Sequence, residues 1–314
     1  MKKYDVVLLT DARYLKPNKV DWYIQQVLDE DAYVQNALES HGLKVIRMNW
    51  DNDKFDWSQC HYILIRAVWD YFHRINEFQP WLKKVSTQTS LLNNYDLIQW
   101  NLNKSYLFDL QNKDVRIPPS IFIPKHTKGK QRSLGDYCSN NSWSEFILKP
   151  AVSGAARHTY RFKRGEHEGI ENIFAKLHSE EDMILQEFQS KIISKGEAAL
   201  MFMGGEYTHS VMKRAKAGDF RVQDDFGGTV DHYFAPKHEI DFAKKVIDAC
   251  PYETAYARID IMWDNFNQVC VSEVELIEPE LWFRNNPKSA EALAHYIYDQ
   301  IKLKKKNKVN YKAA

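Results

Sequence analysis

The strongest constraint on the fold is the alternation of short apolar runs with helical stretches, which begins at the first residues. Val6 to Thr10 reads as a buried strand, Asp31 to His41 as an amphipathic helix ending at Gly42, and Lys44 to Met48 as a second strand. A third apolar run, Tyr62 to Ile65, leads into Arg66-Ala67-Val68-Trp69-Asp70-Tyr71, and a helical pattern follows from about Asn76 to Val85. Such alternation favours a parallel sheet covered by helices. Ligands of these sheets gather beyond the carboxyl ends of the strands, so Arg66, Trp69, Asp70 and Tyr71 are expected to touch a substrate. The competing reading buries Trp69 and Tyr71 as core aromatics, with Arg66 and Asp70 paired beneath them.

Helical patterns at Tyr95 to Trp100 and Lys104 to Gln111 lead to Pro118-Pro119, which marks a break. Strand-rich sequence then runs from Ile121 to Arg214, with one helix near Glu168 to His178 and a polar loop carrying a short helix over Lys125 to Asn141. The end reads helix, strand, strand, helix: Glu239 to Ala249, Ala255 to Trp263, Val269 to Ile277 and Ser289 to Lys304. The expected fold class is α/β followed by α+β, in units 1–115, 116–187 and 188–314.

Lys and Arg number 43 against 42 Asp and Glu, which gives no reason to expect nucleic acid as a partner. The run Lys302 to Lys308 closes a helical pattern, where cations suit the helix dipole. Cys60, Cys138, Cys250 and Cys270 are far apart and show no metal-ligand spacing, as expected of reduced thiols in a cytoplasmic protein. The opening apolar run is too short for a signal peptide, and no segment is long enough to span a membrane. A homodimer is the default assembly for a soluble enzyme of this size.

Three stretches carry chemistry. In Val271-Ser272-Glu273-Val274-Glu275, alternation puts Glu273 and Glu275 on one face of a strand, and Asp260 on the preceding strand can join them across a hairpin. Carboxylates gathered so closely repel unless a cation neutralises them, and oxygen ligands suit Mg²⁺. A wet acidic strand face has the same pattern. The second stretch, Met212-Lys213-Arg214 through Gly218-Asp219-Phe220-Arg221 to Gly227-Gly228, gathers cations around glycine-containing loops that can hold a polyphosphate, or simply forms a solvated basic hairpin. In the third, a strand ends at Lys149 and the small-residue loop Pro150 to Ala156, with Ser153 and Gly154, lets backbone N–H groups approach a phosphate.

In order along the chain, Lys104, Lys149, Ile184-Leu185-Gln186-Glu187-Phe188, the basic hairpin, Asp260 and Glu273-x-Glu275 resemble the series seen in ATP-grasp ligases of the glutathione-synthetase and glutamate-ligase branch. The chain looks closest to the subfamily containing the cyclo-ligase of D-cycloserine biosynthesis, which closes an O-ureido-serine onto itself. Arg66 through Tyr71, Trp100-Asn101-x-x-Lys104-x-Tyr106-Leu107, Gly218-Asp219-Phe220-Arg221-Val222-Gln223 and Glu275-Leu276-Ile277-Glu278-Pro279 carry that likeness. The resemblance implies an ATP-grasp fold preceded by a Rossmann-like pre-ATP-grasp domain. It implies ATP contacts from Lys104, Lys149, Ser153, Gly154, Gln186, Glu187, Phe188 and Glu197, and Mg²⁺, with Mn²⁺ as the alternative ion, on Asp260, Glu273 and Glu275. Arg221, with Lys213 and Arg214, would stabilise an acyl phosphate and the oxyanion formed as nitrogen attacks it. The implied activity is ligation or cyclisation of a small amino-acid-like molecule. Intermolecular amino-acid or peptide ligation and a phosphotransferase without ligation stand as alternatives.

Overall fold

The structure, a computed structural model, describes residues 2–129, 131–222 and 226–313, so Gln223 of the basic loop lies outside it. The side chains of 305–313, which include the end of the Lys302 to Lys308 run, also lie outside the description.

The first sheet contains β1 (Tyr4–Thr10), β2 (Val45–Asn49), β3 (Cys60–Ile65) and β4 (Ser90–Leu92), all parallel, in the order β2-β1-β3-β4. Helices α1 (Ala12–Leu15), α2 (Trp22–Ser40) and α3 (Ile75–Ser86) connect them. Helix α2 begins well before the stretch that periodicity indicates, because the Asp21 side chain caps it by accepting from Ile24 N at 2.8 Å. Its buried face is not wholly apolar. Glu30 and Asp31 are buried there, which masks the amphipathic pattern. Because β1 and β3 are covered on both faces, their residues divide by parity: Val6 and Leu8 enter one core, Val7 and Leu9 another.

Helices α4 (Tyr95–Asn101) and α5 (Tyr106–Gln111) follow, and their Leu97, Leu107 and Leu110 pack against strands of the last sheet. The middle unit is antiparallel: β5 (Ser120–Ile123), β6 (Glu145–Pro150), β7 (Tyr160–Lys163) and β8 (Met183–Glu187), ordered β5-β8-β6-β7. Helices α6 (Leu134–Ser139) and α7 (Glu171–Glu180) close its own core around Phe146, Phe162, Phe174 and Leu185.

After the short α8 (Lys191–Lys195), the third sheet is built from β9 (Glu197–Met203), β10 (Glu206–Arg214), β11 (Thr229–Tyr233), β12 (Tyr256–Trp263) and β13 (Val269–Glu275). Their order is β11-β10-β9-β12-β13, again antiparallel, with α9 (Lys237–Ala249) between β11 and β12. The terminal α10 (Lys288–Ala313) returns to the first unit, where Leu293 and Ile297 share a core with Val34 and Leu38 of α2. Four of these elements escape the sequence reading. β4 is only three residues long, α1 and α8 are single turns, and β11 is an edge strand whose residues are largely exposed and give no apolar alternation.

Among the described residues no helix is long and apolar enough to cross a membrane. The cysteines are free thiols, and Cys60, Cys138 and Cys270 are buried.

His209 on β10 ties this sheet to the loop after β13. Its Nε2 lies 3.0 Å from Leu281 O and 3.2 Å from Trp282 O, and burial pushes its pKa down to about 4. The unfolded chain binds a proton near pH 6.5 and the native state does not, so this residue's contribution is full at pH 7 and falls away as pH drops from 6.5 toward 4. Denaturant titrations should show the stability difference between wild type and H209Q shrinking between pH 7 and pH 5, by up to about 2 kcal/mol.

Candidate active site

The three sheets meet around a cavity of about 540 Å³. One end is apolar: Ile147, Phe188, Ile192, Phe220 and Met262 line it. Phe188 meets Phe220 edge-on at 6.0 Å, and the Arg161 guanidinium lies 3.8 Å from the Phe188 ring centroid. Gln186 and Glu187 border this end. The Phe188 N–H, however, already donates to Glu145 O at 3.0 Å, so Phe188 offers its ring here, with its amide spent on the middle sheet.

The middle of the cavity is charged. The register pairs Asp260 with Glu273 and Arg258 with Glu275, which brings all three expected metal ligands to one wall. Arg258 Nε lies 2.9 Å from Asp260 Oδ1, and its Nη2 also pairs with Glu275. Lys213 Nζ lies 2.5 Å from Glu197 Oε1 and 2.6 Å from Asp260 Oδ2. Ser272 Oγ donates to Glu197 Oε2 at 2.8 Å, which fixes that carboxylate. Lys104 Nζ lies 2.8 Å from Glu273 Oε1 and donates to Ser153 O at 2.7 Å. Burial raises the Glu275 carboxyl well above the usual range against the pull of Arg258, and Glu273 and Asp260 add repulsion. Burial likewise pushes Glu278 up to about 7, despite a hydrogen bond from the Tyr71 hydroxyl.

Lys149, at the end of β6, stands apart from these pairs. Among the described residues no carboxylate lies within ion-pair distance of it, and its Nζ reaches Gln186 Oε1 at 3.4 Å. Burial, with Lys104 nearby, pushes its pKa down to about 8. The loop beyond it crosses Phe72 so closely that a Cβ on Gly154 would fall 2.7 Å from the ring, so any larger residue there would have to displace that ring. Ala155, Ala156 and His158 in the same loop hold positive φ of 48°, 52° and 52°. The loop therefore stores local strain where it faces the cavity.

Trp69, Asp70 and Tyr71 reach the cavity from the first sheet, as do Arg13, Tyr14 and Tyr23. Trp69 donates from its indole nitrogen to Glu278 O at 2.9 Å and meets Tyr14 edge-on at 5.6 Å. Asp70 accepts from Trp50 Nε1 at 2.7 Å and from Arg74 Nη1 at 2.9 Å. Arg221 enters from the loop after β10, its guanidinium 2.7 Å from Asp219 and 3.9 Å from the Phe226 ring centroid.

Two expected residues lie elsewhere. Arg66 does not border this cavity. It is 2% exposed, with Nη2 3.1 Å from Glu30 Oε1 and Nε 3.7 Å from Asp31. Glu30 in turn accepts from Leu281 N at 2.6 Å and Phe283 N at 3.0 Å, so Arg66 braces a loop and leaves the substrate to others. Arg214 follows Lys213 on β10 and therefore points to the other face, where it pairs with Asp231 at 3.1 Å in solvent. The sequence reading in turn overlooked Arg258, Glu278 and Glu280. Arg258 was recoverable, since it stands two residues before Asp260 on the same strand and shares its face.

The donor set fits a metal nucleotide. A half-buried lysine without an anionic partner among the described residues suits a phosphate, carboxylates gathered on one wall suit a divalent cation, and the apolar end suits a planar base.

Residues 6–93 match the family model described as D-cycloserine synthetase DcsG, N-terminal domain. Over 312 residues the chain is 23% identical to the cycloserine biosynthesis protein DcsG of Streptomyces lavendulae, covering 95% of this chain and 99% of that one. The crystal structure of D-cycloserine synthetase DcsG superposes with a TM-score of 0.81 at 22% identity, over 94% of this chain and 99% of that one. The D-alanine–D-alanine ligase from Bacillus anthracis, solved with ATP, gives a TM-score of 0.66 at 13% identity, over 97% and 99%. The ATP-grasp ligase PsnB, solved with a precursor peptide and AMPPNP, gives 0.60 at 11%, over 96% and 98%.

Proposed function

From a chain with the fold of the ATP-grasp ligases, we propose an ATP- and Mg²⁺-dependent ligase that activates a carboxyl-like group of a small amino-acid-like substrate as an acyl phosphate and joins it to nitrogen. The observation that carries this reading is one cavity lined by apolar side chains, by Lys149 with no carboxylate within ion-pair distance among the described residues, and by a wall of carboxylates. Ile147, Phe188 and Met262 would hold the base, and Lys104 and Lys149 would neutralise the phosphates. Mg²⁺ on Asp260, Glu273 and Glu275 would supply Lewis-acid stabilisation of the transferring phosphoryl group. Lys213 and Arg258 hold Asp260 in place, and Arg221 with Arg258 would face charge developing on the activated carboxyl. Trp69, Tyr14 and Tyr23 would pack on the substrate at the far end, where Glu278 and Glu280 suit an ammonium group. A substrate that carries both the carboxyl-like group and the nitrogen would close on itself, and product mass decides between internal and intermolecular joining.

A phosphate beside Lys149 would restore its proton. Calorimetry of nucleotide binding at pH 8.5, in buffers of differing ionisation enthalpy, should show uptake of roughly half a proton or more per site, and K149M should abolish it. Binding without uptake in wild type would place the phosphates elsewhere.

A further inference from the structure

Each carboxylate assigned to the metal is already engaged by a cation of the protein itself. Lys104 takes Glu273, Lys213 and Arg258 take Asp260, and Arg258 takes Glu275. Among the described residues, no group of three or more acidic, His or Cys side chains stands ready to hold an ion. A divalent ion arriving alone would add charge to a site whose charges are paired, or would leave a displaced ammonium without a partner in a partly desolvated cavity. A polyphosphate changes this, because it offers the displaced ammonium a new anion.

The pairs differ in how easily they open. Lys213 and Asp260 are 5% and 2% exposed, and Glu197 also holds Lys213. Lys104 and Glu273 are 11% and 33% exposed, so this pair borders the open cavity. The Lys104 backbone is fixed, its N–H donating to Ala151 O at 2.8 Å, while the ammonium at the end of a flexible stem spans Glu273 and the Ser153 carbonyl of the phosphate-facing loop.

We propose that Lys104 is a plug in the metal site: its ammonium occupies Glu273 until phosphates draw it away, so a divalent ion enters with or after the nucleotide and not before it. This order of entry rests on the cavity being a metal-nucleotide site. It makes Lys104 a positioning residue with two partners, Glu273 in the empty site and a phosphate in the filled one.

The test uses Mn²⁺ as the probe, with water-proton relaxation enhancement to separate protein-bound ion from ion on free nucleotide. Wild type, K104M, K104Q and K104R are each titrated with and without β,γ-imido-ATP. Wild type should bind Mn²⁺ weakly alone and at least about tenfold more tightly with nucleotide, whereas K104M should bind Mn²⁺ alone at least about tenfold more tightly than wild type. K104R, which restores the charge, should return to wild-type behaviour. K104Q carries the same expectation as K104M should the methionine chain be unstable. Unchanged or weaker Mn²⁺ affinity in both neutral variants, with nucleotide-dependent binding intact in wild type, overturns the plug and leaves the metal-nucleotide reading standing. Wild type that binds no further Mn²⁺ with nucleotide overturns that reading, and the plug with it.

Discussion

Glu273→Gln is expected to lower Mg²⁺-dependent ADP release by about 10²–10³-fold while changing stability by less than about 1 kcal/mol. Glu273 sits opposite Asp260 in the strand register and two residues from Glu275, so it shares one wall of this cavity with both. Glutamine keeps the shape and removes the charge a divalent ion requires. The fold should tolerate the change, because Glu273 is a third exposed and Lys104 retains the Ser153 carbonyl. Steady-state ADP release beside a urea titration checks both halves. Turnover within threefold of wild type in a folded variant would remove Glu273 from the metal site.

Arg66→Met is expected to cost about 3–5 kcal/mol of stability, because it leaves a buried acid without its cation. Arg66, Glu30 and Asp31 are all buried, and Asp31 keeps Arg47 at 2.7 Å while Glu30 keeps only backbone donors. Burial already raises the Glu30 carboxyl, with Arg66 as its main counterweight. Urea unfolding should therefore show a large drop for R66M and partial recovery in E30Q/R66M, where the uncompensated charge is removed as well. A substrate-binding Arg66 would behave oppositely, raising KM with stability intact.

Arg66 also shows where sequence stops informing. The run Arg66 to Tyr71 reads as the carboxyl end of a strand, and the structure puts Trp69, Asp70 and Tyr71 at the cavity accordingly. What the chain hides is that α2 carries two acids on its buried face, and these turn Arg66 away. Strands are readable wherever alternation reports burial, as in Glu273-x-Glu275, and the same alternation sets Lys213 and Arg214 on opposite faces. Partners were not readable. That Lys104 meets Glu273, Arg258 bridges two carboxylates and the Phe188 N–H is spent on Glu145 are facts of long-range register and docking, which one strand's pattern cannot carry.

The central claim is that ATP drives carbon–nitrogen bond formation through a phosphorylated carboxyl group. The most direct measurement gives the enzyme ATP, Mg²⁺ and a panel of amino acids, dipeptides and O-ureido-serine analogues whose carboxyl oxygens carry ¹⁸O, and follows phosphate and product by mass spectrometry. The account predicts ADP release that depends on one of these compounds, with one ¹⁸O atom passing from its carboxyl group into each inorganic phosphate as the new bond to nitrogen forms. Unlabelled phosphate, or a stable product that retains the phosphoryl group, would contradict it.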